Sequence, residues 1–159
     1  MTRTQTSRSI DFIVVHCTAG NKHAAVFAVR KVFRERGWKH PGYHYLVTSD
    51  GEIHTLQSES QPANGAKGYN SRSIHIAYTG GVNQSDMRTP EDTRTEPQRK
   101  ALAAKLLDLK RRYPKARVLG HRDLPGVNKA CPSFDVTGEY GSDFCRPWEV
   151  GESFPPVKD

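Results

Sequence analysis

Cysteine is scarce in this chain and follows no pairing pattern. Cys17, Cys131 and Cys145 are odd in number and form no CxxC couple, which excludes a disulfide framework and makes reduced thiols the expectation. Long hydrophobic runs are missing as well. The apolar segment Ile10 to Val15 is too short for the core of a signal peptide, and no stretch approaches the length of a membrane span. The expectation is therefore synthesis in the cytoplasm without a visible export signal, and no membrane insertion. Apolar residues make up 35% of the chain and aromatic residues 9%, beside ten prolines and thirteen glycines, so loops should take a large share.

Acidic residues are in the minority, 17 against 24 Lys and Arg, which leaves a formal charge of +7. That balance suits nucleic acid, an anionic membrane surface or an anionic polymer such as bacterial cell wall. The basic residues are spread out, and the densest group, Lys110-Arg111-Arg112, falls at a helix end where the dipole favours cations anyway. The charge thus gives no ground for a nucleic-acid partner. A length of 159 residues suits one domain, 1–159, whose core can bury roughly 70% of the unfolded chain's surface. Neither an internal repeat nor a linker interrupts it, and a monomer is expected.

The elements alternate along the chain. Ile10 to Val15 reads as a buried strand ending at His16-Cys17-Thr18-Ala19. From Ala24 to Arg36 the residues Val26, Val29, Val32 and Phe33 recur at helical spacing, with Gly37 placed as a cap. Tyr43–Thr48 and Glu52–Leu56 flank Ser49-Asp50-Gly51 as a hairpin, and Ser73 to Thr79 forms another strand. Thr95-Glu96-Pro97-Gln98 fits a capping box, ahead of a helix marked by Leu102, Leu106, Leu109 and Tyr113 and ended by Pro114. A last strand, Arg117-Val118-Leu119, leads to His121. The order implies an α/β fold, a single domain with a central mixed sheet flanked by helices. The tail from Gly138 to Asp159 lacks periodicity, although Phe144, Trp148 and Phe154 suit packing better than disorder.

Two strands thus end in histidine, at His16 and His121, and Cys131 lies in the loop beyond, in GHRDLPGVNKACPSFD. Two imidazoles and a thiolate are three protein ligands of a tetrahedral zinc, with the fourth position left open as in a catalytic site. Spacing alone leaves two other readings: ordinary hydrogen-bonded histidines, or a nucleophilic pair with Cys131 as thiolate and His121 as base, which leaves His16 unused.

Five segments in this order, VVHCTAG, GYHYLVTSDG, GAKGYNSRSIHIAYTGG, GHRDL and KACPSFD, resemble the zinc N-acetylmuramoyl-L-alanine amidases of the bacteriophage-lysozyme and peptidoglycan-recognition type over about residues 10–136. The resemblance implies one zinc ion held by His16, His121 and Cys131, with Tyr43 and Lys129 as catalytic residues outside the metal shell. It also implies hydrolysis of the amide between N-acetylmuramic acid and L-alanine, with peptidoglycan or muropeptides as substrate, acting on the wall after release or on intracellular wall fragments. Tyr45, two residues past Tyr43, is expected on the same sheet face and competes for that role. Cys17 is expected to point into the core, away from the metal, and Cys145 lies in the unmatched extension 137–159. Two positions depart from the family pattern: Gly65 stands where a histidine is common, and His75 where a small residue is. The pair reads either as altered peptide specificity or as His75 filling space that Gly65 leaves. The alternatives to an enzyme are a non-catalytic peptidoglycan-binding module and a regulator that binds a polymerase.

Overall fold

The run Phe12-Ile13-Val14-Val15-His16-Cys17 forms the central strand β1 (Phe12–Cys17), buried along its whole length, as suits a β-branched segment covered on both faces. In the computed structural model, which describes residues 7–144, the chain continues through α1 (Val26–Glu35), β2 (Tyr45–Val47), β3 (Ile53–Thr55), β4 (Ser73–Tyr78), α2 (Glu96–Arg112), β5 (Arg117–Gly120) and α3 (Val136–Phe144). β1 lies between parallel partners β4 and β5, β2 adds in parallel to β4, and β3 pairs antiparallel at the edge, giving the order β3-β2-β4-β1-β5. The mixed α/β sheet of the sequence analysis is thus the observed one, in a single small domain.

Strand alternation divides the core in two. Ile13, Val15 and Cys17 of β1 and Ile74, Ile76 and Tyr78 of β4 face Leu102, Leu106 and Leu109 of α2. The three leucines are fully buried, and truncating a buried leucine to alanine typically costs about 2–5 kcal/mol. On the opposite face Phe12 and Val14 pack with Leu119, while Leu46 and Ala77 meet Val29 and Phe33 of α1. Helices therefore cover both faces. α2 starts with the expected capping box, Gln98 N–H donating to Thr95 Oγ1 at 3.2 Å and Thr95 N–H to Gln98 Oε1 at 3.0 Å. The Gln98 amide also donates to the carbonyls of Val47 and Thr79, so the cap anchors α2 to the ends of β2 and β4.

Three details differ from the sequence reading. α1 is shorter than Ala24–Arg36, and Val32 on it is 42% exposed rather than buried. The hairpin strands are also shorter. Leu56 and Gln57 both donate to the carbonyl of His44, which interrupts the ladder there. β2 begins only at Tyr45 and the chain bends at His44, so alternation does not extend back to Tyr43 and the two tyrosines take opposite faces: Tyr45 stacks under Lys105 of α2 at 4.0 Å, whereas Tyr43 meets Phe33 of α1. Thirdly, the start of the unpatterned tail is helical. α3 is held by Arg94, whose guanidinium donates to both oxygens of Glu139 at 2.6 Å and to Asp92 at 2.9 Å while lying 3.4 Å over the Phe134 ring. Cys145, Trp148 and Phe154 lie outside the described residues.

A second buried charge ties the loop after β3 to α2. Glu59 accepts a bidentate pair from Arg112 at 2.6 and 2.8 Å, a bond from the Tyr113 hydroxyl at 2.5 Å, and another from Tyr45. Burial pushes its carboxyl up, but the hydrogen bonds from Arg112, Tyr113 and Tyr45 outweigh that and hold it at about 2. A pKa below the unfolded-state value means a contribution that is present above ~4.5 and fades as pH falls towards the folded value. Glu59→Gln should therefore lose on the order of 2–3 kcal/mol at pH 7 and much less near pH 2.5. Urea unfolding at the two pH values measures this, and an equal loss at both would show that the carboxylate charge is not what Glu59 contributes.

Candidate active site

His16 and His121 reach one another because their strands are neighbours. Val15 of β1 pairs with Gly120 of β5, His16 follows on the face opposite α2, and His121 opens the short 3-10 turn His121–Asp123 directly after β5. Asp123 holds that turn, its Oδ2 accepting from Gly120 N–H at 2.7 Å. Their rings lie 4.6 Å apart between centroids.

Cys131 arrives from the loop beyond, pinned on several sides. Arg122 N–H donates to the Cys131 carbonyl at 2.8 Å, the Tyr78 hydroxyl to the Pro132 carbonyl at 2.6 Å, and the Ser133 hydroxyl to the Gly81 carbonyl at 2.7 Å. The thiol itself accepts from Cys17 N–H at 3.2 Å. Cys17 has its own side chain in the α2 core, as strand alternation requires.

One ligand atom from each of His16, His121 and Cys131 lies within 4.8 Å of the other two, and His16 Nδ1 is 3.9 Å from Cys131 Sγ. Zinc bonds of ~2.0–2.1 Å to nitrogen and ~2.3 Å to sulfur put tetrahedral ligand atoms about 3.3–3.6 Å apart. The donor set thus fits zinc in chemistry and, after a small closure, in size. Among the described residues no other group of three His, Cys, Asp or Glu side chains converges in this way.

Electrostatics favour the states a cation needs. Burial, then the neighbouring His75, His121 and Lys129, pushes His16 well below the usual histidine range. Burial and Lys129 hold His121 down at about 4, so both rings are neutral at pH 7 with lone pairs to offer. The Cys131 thiol is pushed up by its neighbour Cys17 and by burial; a bound cation is what would deprotonate it.

The cluster opens into a cleft of about 160 Å³ lined also by Tyr43, Gly65 and Lys129. Lys129 is exposed in the loop before Cys131. Tyr43 lies against His16, ring centroids 5.3 Å apart, and its hydroxyl donates to the Cys17 carbonyl at 3.3 Å. Burial raises its phenol, which therefore stays protonated and able to donate. Of the two tyrosines in GYHY, Tyr45 is remote from this cleft, on the α2 face. A second groove of about 180 Å³ continues from Tyr43 and Arg36 along α1, past Asn21, Ala28 and Val32.

The sequence reading did not assign roles to Asp123, Tyr78, Ser133 and Asn70 around these residues. Asp123 was open to it, since an acidic residue three positions after a strand-ending glycine can bond the glycine amide. Tyr78 and Ser133 act across long sequence separations, and local pattern carries no trace of them, whereas Asn70 bonds Ala66 and His75, four and five positions away.

The family model described as N-acetylmuramoyl-L-alanine amidase matches residues 6–134. An endolysin of Enterobacteria phage K11 is 36% identical over 124 residues, 77% of this chain and 80% of that protein. An endolysin of Escherichia phage T7 is 33% identical over 146 residues, 91% of this chain and 89% of its own length. Among solved structures, the Ph2119 endolysin from a Thermus scotoductus bacteriophage superposes with a TM-score of 0.70 at 28% identity, covering 89% of each chain. With that match over most of its length, and a cleft of this geometry, the chain belongs to the N-acetylmuramoyl-L-alanine amidase family.

Proposed function

We propose that this protein is a zinc-dependent hydrolase of peptidoglycan that cleaves the amide between N-acetylmuramic acid and L-alanine. The observation that carries the proposal is the convergence of His16, His121 and Cys131 within 4.8 Å, in the cleft that Lys129 and Tyr43 also line. Those three side chains would hold a zinc ion, which would supply a lowered pKa for bound water and Lewis-acid polarisation of the carbonyl.

The remaining chemistry belongs to the chain. Amide hydrolysis passes through a tetrahedral intermediate whose oxygen carries negative charge, and a preorganised donor aimed at that oxygen in a water-poor cleft is typically worth about 3–4 kcal/mol. The Lys129 ammonium supplies such a donor, on the loop that also presents Cys131. Tyr43, held as a neutral phenol, donates a second bond or orients the attacking water. Arg36, exposed where the two grooves meet and stacked over Trp38 at 5.1 Å, has no carboxylate partner among the described residues. It suits the carboxylates of a stem peptide lying along α1.

Digestion of purified peptidoglycan decides the bond. New N-terminal L-alanine without new reducing sugar is the expected product, and the reverse would make the protein a glycosidase. Removing zinc with a chelator should abolish hydrolysis and lower the melting temperature, because a ligand held only by the folded state stabilises it. Full activity in protein shown metal-free by elemental analysis overturns the zinc mechanism. Wall binding with neither zinc uptake nor product would point to a binding module instead.

Lys129→Ala and Tyr43→Phe should keep both fold and zinc while lowering turnover, Lys129→Ala by ~10²–10³ if its ammonium is an oxyanion donor. Tyr45→Phe is the control, since that hydroxyl bonds Glu59 rather than facing the cleft; it should cost stability and leave turnover unchanged. Turnover beside zinc content for the three variants checks this. Parental turnover in Lys129→Ala, or a damaged Tyr45→Phe, removes the assigned roles.

A further inference from the structure

His75 is one of the two positions at which the sequence departs from the family pattern, and it is fully buried against the candidate metal site. Its place follows from register. Val14 of β1 pairs with His75 of β4 and His16 with Ala77, so His16 and His75 are diagonal neighbours on the face opposite α2. Their ring centroids lie 4.9 Å apart, and His16 Nε2 is 2.8 Å from His75 Nδ1.

We infer that His75, oriented by Asn70, is a positioning residue that fixes the tautomer of His16 and so presents Nδ1 of His16 to the metal, an inference that rests on the zinc reading above. The direction of the chain is set at its far end by a group that can only donate. Ala66 N–H donates to Asn70 Oδ1 at 2.8 Å, which fixes which end of the Asn70 amide is the oxygen. His75 Nε2 lies 2.9 Å from the same oxygen. An amide oxygen only accepts, so His75 Nε2 carries its ring's hydrogen and Nδ1 is left bare. Bare Nδ1 must accept from His16 Nε2, and His16 is left with its lone pair on Nδ1. That is the atom 3.9 Å from Cys131 Sγ.

Two further contacts hold His75 in place. His44 stacks on it at 6.0 Å with planes 15° apart, and His44 Nδ1 accepts from the His75 backbone N–H at 3.0 Å. Gly65 makes room: a Cβ built there would lie 2.4 Å from His75 Nδ1, on the very atom that accepts from His16. The two departures from the family pattern are thus one arrangement, with His75 filling the space that glycine leaves. Partners of this kind orient a ligating histidine and typically affect metal affinity by 10–100-fold.

The test compares His75→Asn with His75→Leu in the full chain. The two replacements are close in size, but only Asn offers an acceptor, Oδ1, near where Nδ1 stands. Zinc affinity, measured by competition with a chromophoric chelator, should stay within about threefold of the parent in His75→Asn and fall ~10–100-fold in His75→Leu. The two zinc-free variants should melt at similar temperatures. A second readout needs no substitution to fold well: two-bond ¹H–¹⁵N spectra of the parental protein should show Nε2–H on both His16 and His75, with and without zinc. Equal zinc affinity in the Leu and Asn variants, or Nδ1–H on His16 in the zinc-free protein, overturns the inference while leaving the zinc reading intact. Absence of zinc binding in the parent overturns both.

Discussion

Parallel pairing on both sides of β1 decides which way each of its side chains must turn, because Val14 lies against His75 in one neighbour and Leu119 in the other. A slip of one residue would exchange the faces, sending His16 into the α2 core and Cys17 out to the cleft. The leucines of α2 resist that exchange by requiring Ile13 and Val15 on their side. The convergence of these side chains is therefore a by-product of core packing. His16 and His121 are brought together by hydrophobic register, and the Cys131 loop needs only to be hung beside them, from Tyr78, Arg122 and Ser133.

Much of this was legible in the chain itself. β1 opens on the unbroken apolar run Phe12 to Val15, the Thr95–Gln98 box marks the start of α2, and the histidines at the strand ends stand out once the strands are placed. What local pattern could not reveal depends on distant partners. Tyr43 and Tyr45 look equivalent by period-2 alternation, yet β2 begins only at Tyr45 and the chain bends at His44, so the period does not carry back to Tyr43. α3 carries only a short apolar stripe, Val136 and Tyr140, which packs into the core from a helix with two glycines, and the Arg94 guanidinium that clamps Glu139 and stacks over Phe134 comes from a distant loop. The pairing of Gly65 with His75 could be noticed as two departures, but their contact becomes visible only when β4 is laid beside the loop that carries Gly65.

The site also shows how burial and charge cooperate around the proposed metal position. His16 and His121 are kept neutral by burial and by the nearby Lys129, so the lysine proposed to stabilise developing negative charge also discourages proton uptake by the ligands. In the proposed mechanism one positive charge at the rim would thus act both on the histidines and on the developing oxyanion. The cleft needs no carboxylate to achieve this, and among the described residues none lines it.

The 2.4 Å separation between a Cβ at position 65 and His75 Nδ1 constrains the order in which relatives of this protein can diverge. With His75 in place, any side chain at position 65 collides with it, so the lineage cannot acquire one there directly. His75 must first give way to a smaller residue, and only then does position 65 open to substitution; the reverse path needs glycine first. The two sites are coupled by volume, so the imidazole on β4 and the glycine in the loop before it constrain each other's replacement.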